Sequence, residues 1–353
     1  MNRTWKRWMP AAVVPAVLAA GTAVSAFQAN TADLPAKTPA QLIEMIAASK
    51  VDTLSGTLEQ TSDLGLPELP ATGPGANAGA ASALELLTGS HTARIYLGGP
   101  SKVRLQVMDR LAERDVVRSG NQLWFYTSKD NTASHLTLPA ASSRREVPAP
   151  AQTGTPAELA QRLLAAADRS TEVSVGPDTQ VAGRKAYTLM LTPRAADTLI
   201  GQASVAVDAG NGLPLSVSVR ARGQQDPAFR LAFESVSFQT PSADLFRFEP
   251  PAGATVKQQT VPQAAPSTKA SHPAAKGAKA KTSGRGWDAV AELPAGSLPA
   301  GFASSGVLSQ LSRPVAGGRL LSTSLVNVLL TDDGRVLAGS VAPERLQAAA
   351  AGR

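Results

Sequence analysis

Period-two alternation between residues 99 and 139 is the feature that most constrains this fold. Val103, Leu105 and Val107 alternate with polar residues, and the tripeptide at 119–121 separates two further alternating runs. Successive side chains of a strand point to opposite faces, so these runs predict a meander of antiparallel strands with one apolar face. That face has to be covered by another layer, which the rest of the chain must supply.

The first 26 residues are typical of a secretory signal peptide. Arg3, Lys6 and Arg7 precede an apolar, alanine-rich stretch, and Val24-Ser25-Ala26 fits a cleavage site between small residues. The alternative is an uncleaved membrane anchor, since the stretch is about long enough to span a bilayer. Either way we expect an exported protein that works in the cell envelope, in a periplasm-like space or outside the cell.

Charge and composition exclude several classes of function. The net charge is +7, but the basic residues concentrate in the predicted signal peptide and in a lysine-rich stretch after residue 256. Nucleic-acid binding is therefore not expected, because the folded body lacks a basic excess. The chain has no cysteine, which excludes disulfides and thiolate metal sites.

Two helices are predicted in an otherwise strand-rich chain. The first spans 37–50, with Pro39 in its first turn, and Leu42, Ile43, Ile46 and Ala47 on one apolar face. The second begins at Thr155-Pro156. The glycine-rich stretch at 61–89 lacks the spacing of a phosphate-binding loop, and we expect a mobile loop there, with a lid as the functional alternative.

The C-terminal part divides by composition. Residues 256–286 consist mainly of Ala, Lys, Pro, Gln and Ser, which predicts a disordered linker. Residues 287–353 contain one clear hairpin on the turn Asp332-Asp333-Gly334. So small a region has a marginal core and must either dock on the main sheet or bind a partner.

The order of the motifs resembles the LolA/LolB/LppX-like family of lipoprotein- and lipid-binding proteins. The matching segments lie between about residues 36 and 255. They comprise 54–60, 99–105, 117–126, 207–214 and 246–250. The resemblance implies an α+β fold: a strongly curved, antiparallel, unclosed β-barrel with lid helices. Acyl chains of a lipid or lipoprotein would lie between the sheet and these helices. The layout with a small C-terminal region is also similar to that of the RseB/MucB type of sigma-E regulator, which implies a membrane-protein partner of anti-sigma type.

Apolar strand residues are the candidate walls of such a cavity, although each of them also suits an ordinary core. A one-residue slip in register would exchange the two faces, so the sequence leaves this choice open. Trp124 and Tyr126 are the candidate rim, because each combines an apolar body with a polar tip. The wall candidates are Leu54, Leu58, Ile95, Leu97, Val103, Leu105, Val107, Leu189, Leu191, Leu231 and Phe233.

No catalytic constellation is evident. The chain has only three histidines, His91, His135 and His272, and contains neither H-E-x-x-H nor G-x-S-x-G. We therefore expect no enzyme, cofactor or metal. Three hypotheses remain: a lipid or lipoprotein carrier, a regulator that senses lipid and binds an anti-sigma factor through residues 287–353, and a wall-associated structural domain without a ligand.

Overall fold

The computed structural model describes residues 34–66, 89–108, 112–138, 155–167, 169–260, 281–298 and 306–352. The predicted signal peptide lies outside the described residues, as do 67–88 of the predicted loop and 261–280 of the predicted linker. The strands of the main sheet are β1 (Thr53–Ser62), β2 (Gly89–Gly98), β3 (Lys102–Met108), β4 (Glu113–Ser119), β5 (Gln122–Thr127), β6 (Thr132–Thr137), β7 (Thr171–Val175), β8 (Thr179–Val181), β9 (Arg184–Pro193), β10 (Ile200–Asp208), β11 (Pro214–Ala221), β12 (Pro227–Ser237) and β13 (Thr255–Thr260).

The main sheet is curved and does not close. Its strand order is β13-β6-β5-β4-β3-β2-β1-β12-β11-β10-β9-β7, with β8 paired to β9. All of these pairs are antiparallel except β13 with β6. The two outer strands of the order, β13 and β7, are not paired with each other, so an edge remains at each end. This confirms the predicted α+β class and the unclosed antiparallel sheet.

Two helices, α1 (Pro39–Ala48) and α2 (Pro156–Ala166), lie against the same face of this sheet. Both begin with a Thr-Pro pair, in which the threonine is the N-cap and the proline occupies the first turn. In each helix the third residue after the cap returns a side-chain bond to the cap backbone, which completes a capping box. The predicted helix starts are confirmed, and we call α1 and α2 the lid helices.

The buried stripe of α1 is narrower than predicted. Leu42 and Ile46, one turn apart, are buried, whereas Ile43 is 37% exposed and Ala47 is also exposed. The predicted four-residue face was wrong at these two positions, because each step along a helix turns the side chain by about 100°. The first lid helix is therefore held to the sheet mainly by two side chains.

The sheet face that the lid helices cover can be traced by register. Residues directly opposite each other on paired strands share a face, and Leu97 pairs with Leu54 on one side and with Val103 on the other. Across β12 to β9 the same face carries Leu231, Val217, Val205 and Leu189, which pair in that order. We call it the helix-facing surface and the opposite side the outer surface.

A β-bulge lies at the glycine of β1. The register with β12 shifts between Thr57 and Leu58. A Cβ on Gly56 would lie 2.8 Å from the ring of Phe233, so only glycine lets that ring pack against the strand. A glycine inside a strand often marks a bulge or a bend; here it marks a bulge, which sets the position of Phe233.

The sequence of residues 181–191 predicts one continuous strand, but the structure divides it between β8 and β9. The chain turns at Ala182-Gly183, where both residues have positive φ (51° and 73°), and β8 pairs back on β9. The prediction failed because alanine rarely adopts this conformation. Asn-Gly is the pair that such a two-residue turn prefers.

Ala182→Asn is accordingly expected to stabilise the protein. Asparagine adopts the left-handed backbone conformation at lower cost than alanine does. The substitution should therefore raise the free energy of unfolding by about 0.5–1 kcal/mol. Urea denaturation followed by circular dichroism measures this. A variant less stable than the parent would contradict the turn.

A second sheet of six strands forms the C-terminal part. Its order is β14-β15-β19-β18-β17-β16, and it buries Leu320, Leu329, Leu337 and Leu346. It is thus larger than the single predicted hairpin. Its elements are β14 (Lys281–Ser283), β15 (Val290–Leu293), α3 (Gly306–Leu311), β16 (Ser312–Val315), β17 (Gly318–Ser322), β18 (Asn327–Thr331), β19 (Val336–Gly339) and α4 (Pro343–Ala351).

The second sheet docks on the β7–β10 end of the main sheet. Thr198 forms an isolated antiparallel bridge with Val341, and its hydroxyl donates to the Ser340 carbonyl at 2.8 Å. The Trp287 indole N–H donates to the Thr171 hydroxyl at 2.8 Å. Of the two alternatives for the C-terminal region, docking on the main sheet is thus realised in the structure.

The predicted linker at 256–286 is ordered at both of its ends. Residues 256–260 belong to β13, which pairs in parallel with β6, and residues 281–283 form β14. Composition alone did not reveal these strands, because lysine, glutamine and threonine on an exposed edge give no apolar alternation.

Candidate functional site

A cavity of about 190 Å³ lies between the lid helices and the helix-facing surface. It is larger than the engineered cavity of about 150 Å³ that binds benzene and smaller than the roughly 300–1,000 Å³ of typical ligand pockets. The lining residues are Ile46, Ser49, Val51, Leu54, Ile95, Leu97, Thr155, Ala157, Gln161, Leu213, Pro214 and Phe233.

The lining has an apolar side, formed by the sheet and its adjoining loops, which we call the floor. The opposite side, formed by the lid helices and their caps, is partly polar, and we call it the roof. Every side chain that the sheet and its adjoining loop contribute is apolar. The three polar residues, Ser49, Thr155 and Gln161, all come from the lid helices or their caps. No lining residue is titratable. The site can therefore bury hydrocarbon against the sheet and offer neutral hydrogen-bonding groups on the helix side.

The hairpin loop between β10 and β11 supports both the floor and the first lid helix. Its last residue, Leu213, and the first residue of β11, Pro214, line the cavity. Gly212, at φ +73°, approaches the backbone of α1 so closely that a Cβ there would lie 2.3 Å from the Met45 carbonyl oxygen. Only glycine satisfies both the backbone angle and the contact.

Asp208 holds this loop in shape. Its fully buried carboxylate accepts the backbone N–H groups of Gly210 and Asn211, each at 2.9 Å. It also accepts two hydrogen bonds from the Arg184 guanidinium, one of them from Nη2 at 3.0 Å. Burial alone would raise the pKa of Asp208, but Arg184 and the two N–H groups outweigh it and hold this pKa below the ordinary 3.8.

The structure brings four of the predicted wall residues to the cavity: Leu54, Ile95, Leu97 and Phe233. The other wall candidates share the helix-facing surface but do not line the cavity. Among them Leu58, Val107, Leu189, Leu191 and Leu231 are buried in the core, whereas Val103 and Leu105 are half-buried. These two continue the apolar surface beyond the cavity, toward β4 and β5.

Trp124 and Tyr126, the predicted rim residues, lie on the outer surface. Trp124 pairs with Val117 and stacks on His135 with ring centroids 4.1 Å apart. Both aromatic rings also contact Phe248, which follows the short 3₁₀ helix Ala243–Phe246. Their alternating neighbours Leu123 and Phe125 occupy the helix-facing surface instead, opposite Arg118 and Val116.

Several lining residues were not singled out from the sequence. Ile46 was predicted on the apolar face of α1 but not as a cavity residue, and Ala157 belongs to the second predicted helix without having been assigned to a face. Leu213 and Pro214 directly follow Asp208-Ala-Gly-Asn-Gly212, a sequence typical of a tight hairpin loop, and the apolar pair after such a loop was the available signal. Val51 and the three polar residues carry no pattern that distinguishes them.

A curved antiparallel sheet with two helices on one face and a second, smaller sheet is thus the class of fold that this chain adopts. No protein-family model matches the chain, and neither does any curated protein. Similar solved structures exist. In the MucA/MucB complex of Pseudomonas aeruginosa, the matched chain is 17% identical; the match covers 88% of this chain and 95% of that one, with a TM-score of 0.42.

Two further similar structures each match about 60% of this chain. A LolA-superfamily protein from Nitrosomonas europaea is 9% identical, over 60% of this chain and 99% of that one, with a TM-score of 0.23. A proposed outer-membrane lipoprotein-sorting domain from Vibrio parahaemolyticus is 11% identical, over 59% and 95%, with a TM-score of 0.24. The resemblance stated from the motifs is confirmed to this extent.

Within the described ranges, no helix has the length and apolarity needed to cross a membrane. The same part of the chain contains no cluster of three or more histidine or acidic residues that could hold a metal ion.

Proposed function

We propose that this chain is an exported lipid- or lipoprotein-binding protein that buries an acyl chain between the helix-facing surface and the lid helices. The observation that supports it most is the cavity with a wholly apolar sheet side. Each methylene buried there would contribute about 0.8 kcal/mol. Export is proposed from the N-terminal sequence pattern.

The cavity volume determines how much of an acyl chain the site can hold. By comparison with the roughly 150 Å³ that hold six-carbon benzene, 190 Å³ holds about eight carbons. A longer chain requires the lid helices to move outward or the chain to extend over Val103 and Leu105. Outward movement of α1 is feasible because few of its side chains, chiefly Leu42 and Ile46, are buried.

Binding is a better proposal than catalysis for this site. General acid–base and nucleophilic chemistry need titratable or activated side chains within reach of the substrate, and the lining has none that titrates. Its serine and threonine hydroxyls have no histidine, lysine or carboxylate beside them in the lining.

Filling the cavity tests the proposal. In Ala157→Trp the indole would occupy the space beneath α2, so we expect affinity for a phospholipid with one pyrene-labelled acyl chain to fall at least tenfold. Folding should be little affected, because the side chain enters existing space. Fluorescence titration measures the affinity.

Ala47→Trp is the matched control. Ala47 is exposed on the other lid helix and does not line the cavity, so the same substitution there should leave binding unchanged. Equal binding by Ala157→Trp and the parent would contradict the proposed site.

A second candidate function is regulatory, and the position of Trp287 favours it. This residue of the C-terminal part belongs to the same buried cluster as Leu42 and Ile46 of α1. Movement of α1 on ligand binding would therefore reach the second sheet, through which a membrane-protein partner of anti-sigma type would be bound.

Trp287 itself can report such coupling. In a chain without residues 1–26, Trp124→Phe leaves Trp287 as the sole tryptophan. A regulator should show a shift in its emission on titration with the lipid, whereas a pure carrier should bind the lipid without such a shift.

A further inference from the structure

Ser49 is the unusual member of the cavity lining. It is the C-cap residue of α1, and its backbone N–H donates to the Ile46 carbonyl at 3.3 Å. Its hydroxyl oxygen, in contrast, is buried and has no hydrogen-bond partner. A buried hydroxyl without a partner costs free energy that a suitable ligand atom can recover. Because Ser49 also lines the cavity, a hydrogen-bonding ligand there is the candidate partner of this hydroxyl.

Two other polar side chains stand with Ser49 on the helix side of the cavity. The Thr155 hydroxyl accepts the Glu158 N–H at 3.2 Å, so its own proton is a donor for another group. Gln161, six residues after Thr155 on α2, is exposed and carries two amide donors. The helix side of the cavity thus carries neutral hydrogen-bond donors.

The absence of charged residues from the lining restricts the kind of ligand oxygen that can be buried there. No lysine, arginine or histidine lines the cavity, and burying a carboxylate without a cation is strongly unfavourable. A neutral acceptor avoids this cost.

We propose that the ligand presents a neutral carbonyl oxygen, from the ester or amide that links an acyl chain to its head group, to the Ser49 hydroxyl. This deepens the proposed function and rests on it. The acyl chain would lie on the apolar floor, with the carbonyl turned toward the roof.

Methyl octanoate carrying a ¹³C-labelled carbonyl tests this, with n-octane as the probe that lacks the carbonyl. The Ser49→Ala variant is expected to bind methyl octanoate about five- to tenfold more weakly than the parent does, the usual effect of one lost hydrogen bond. Its affinity for n-octane should be unchanged. In infrared difference spectra, the labelled carbonyl stretch should lie at lower wavenumber in the parent complex than in the variant complex.

Ser62→Ala is the matched control. The Ser62 hydroxyl is also buried without a partner, but Ser62 does not line the cavity. Both substitutions should leave the melting temperature unchanged or raise it, and only Ser49→Ala should weaken ester binding.

The possible results distinguish the role of Ser49 from acyl-chain binding itself. Equal losses for ester and alkane, or an unshifted carbonyl stretch in the parent, would overturn the role of Ser49 while leaving acyl binding intact. Failure of the parent to bind either probe would overturn both.

Discussion

Replacement of Trp287 by alanine is expected to lower the free energy of unfolding by about 3–5 kcal/mol, the range for truncating a buried tryptophan. Trp287 is only 9% exposed and belongs to the buried cluster that also contains Leu42 and Ile46. Truncation would leave a cavity where the second sheet meets the main sheet. Urea denaturation of the chain without residues 1–26, followed by circular dichroism and by the fluorescence of Trp124, measures the loss.

Trp287→Phe separates packing from hydrogen bonding at this contact. It keeps most of the ring volume but removes the N–H that donates to the Thr171 hydroxyl, so the expected loss is smaller, about 1–2 kcal/mol. An alanine variant as stable as the parent would show that the second sheet does not depend on this anchor, and it would remove the link on which the regulatory candidate relies.

Asp208→Asn is the second substitution with a large expected effect. Breaking a fully buried ion pair by removing one partner costs about 3–5 kcal/mol. The Arg184 side chain is 35% exposed, so solvent screens part of the interaction and we expect a loss of about 2–3 kcal/mol. The loop that places Gly212 against α1 would loosen, and lipid binding should weaken with it.

The pH dependence of this effect has a defined sign. The pKa of Asp208 is lower in the folded protein than its ordinary value of 3.8. Its contribution to stability is therefore fully present above that value and is lost as the pH falls through the folded pKa. The stability difference between the parent and Asp208→Asn should be constant near neutral pH and should shrink below about pH 3.8.

Asp333→Asn provides the control for a carboxylate in a turn. Asp333 also pairs with an arginine, Arg335, at 2.9 Å, but its side chain is 42% exposed. Its substitution should change stability much less than that of Asp208. Similar losses in the two variants would contradict the assignment of Asp208 as a buried support of the lid.

Alternation and turn chemistry predicted most strands of the main sheet. Leu105 and its neighbours were placed correctly because a half-buried strand shows its periodicity directly. The sequence Asp208-Ala-Gly-Asn-Gly212 likewise predicts the hairpin that the structure has there, because aspartate, asparagine and glycine favour tight turns. The turn at Ala182-Gly183 was missed, because only tertiary context holds an alanine at positive φ.

The sequence does not determine which side chains of each strand face the helices. Trp124 and Leu123 are adjacent and both apolar, and nothing local decides which one faces the helices. The register with β4 decides it, together with Phe248, which covers Trp124 from the outer surface. The strand β13 could not be predicted from the sequence either, because its parallel pairing with β6 joins segments more than a hundred residues apart.

The most direct test of acyl-chain binding is native mass spectrometry of the protein isolated from its own cell envelope, beside the Ala157→Trp variant prepared in the same way. We expect the parent to carry an additional mass that organic extraction identifies as an acylated lipid or the acyl chains of a lipoprotein, and the variant to carry much less of it. A parent protein that is persistently free of lipid, and that stays so after incubation with vesicles of the same membrane, would contradict the proposal.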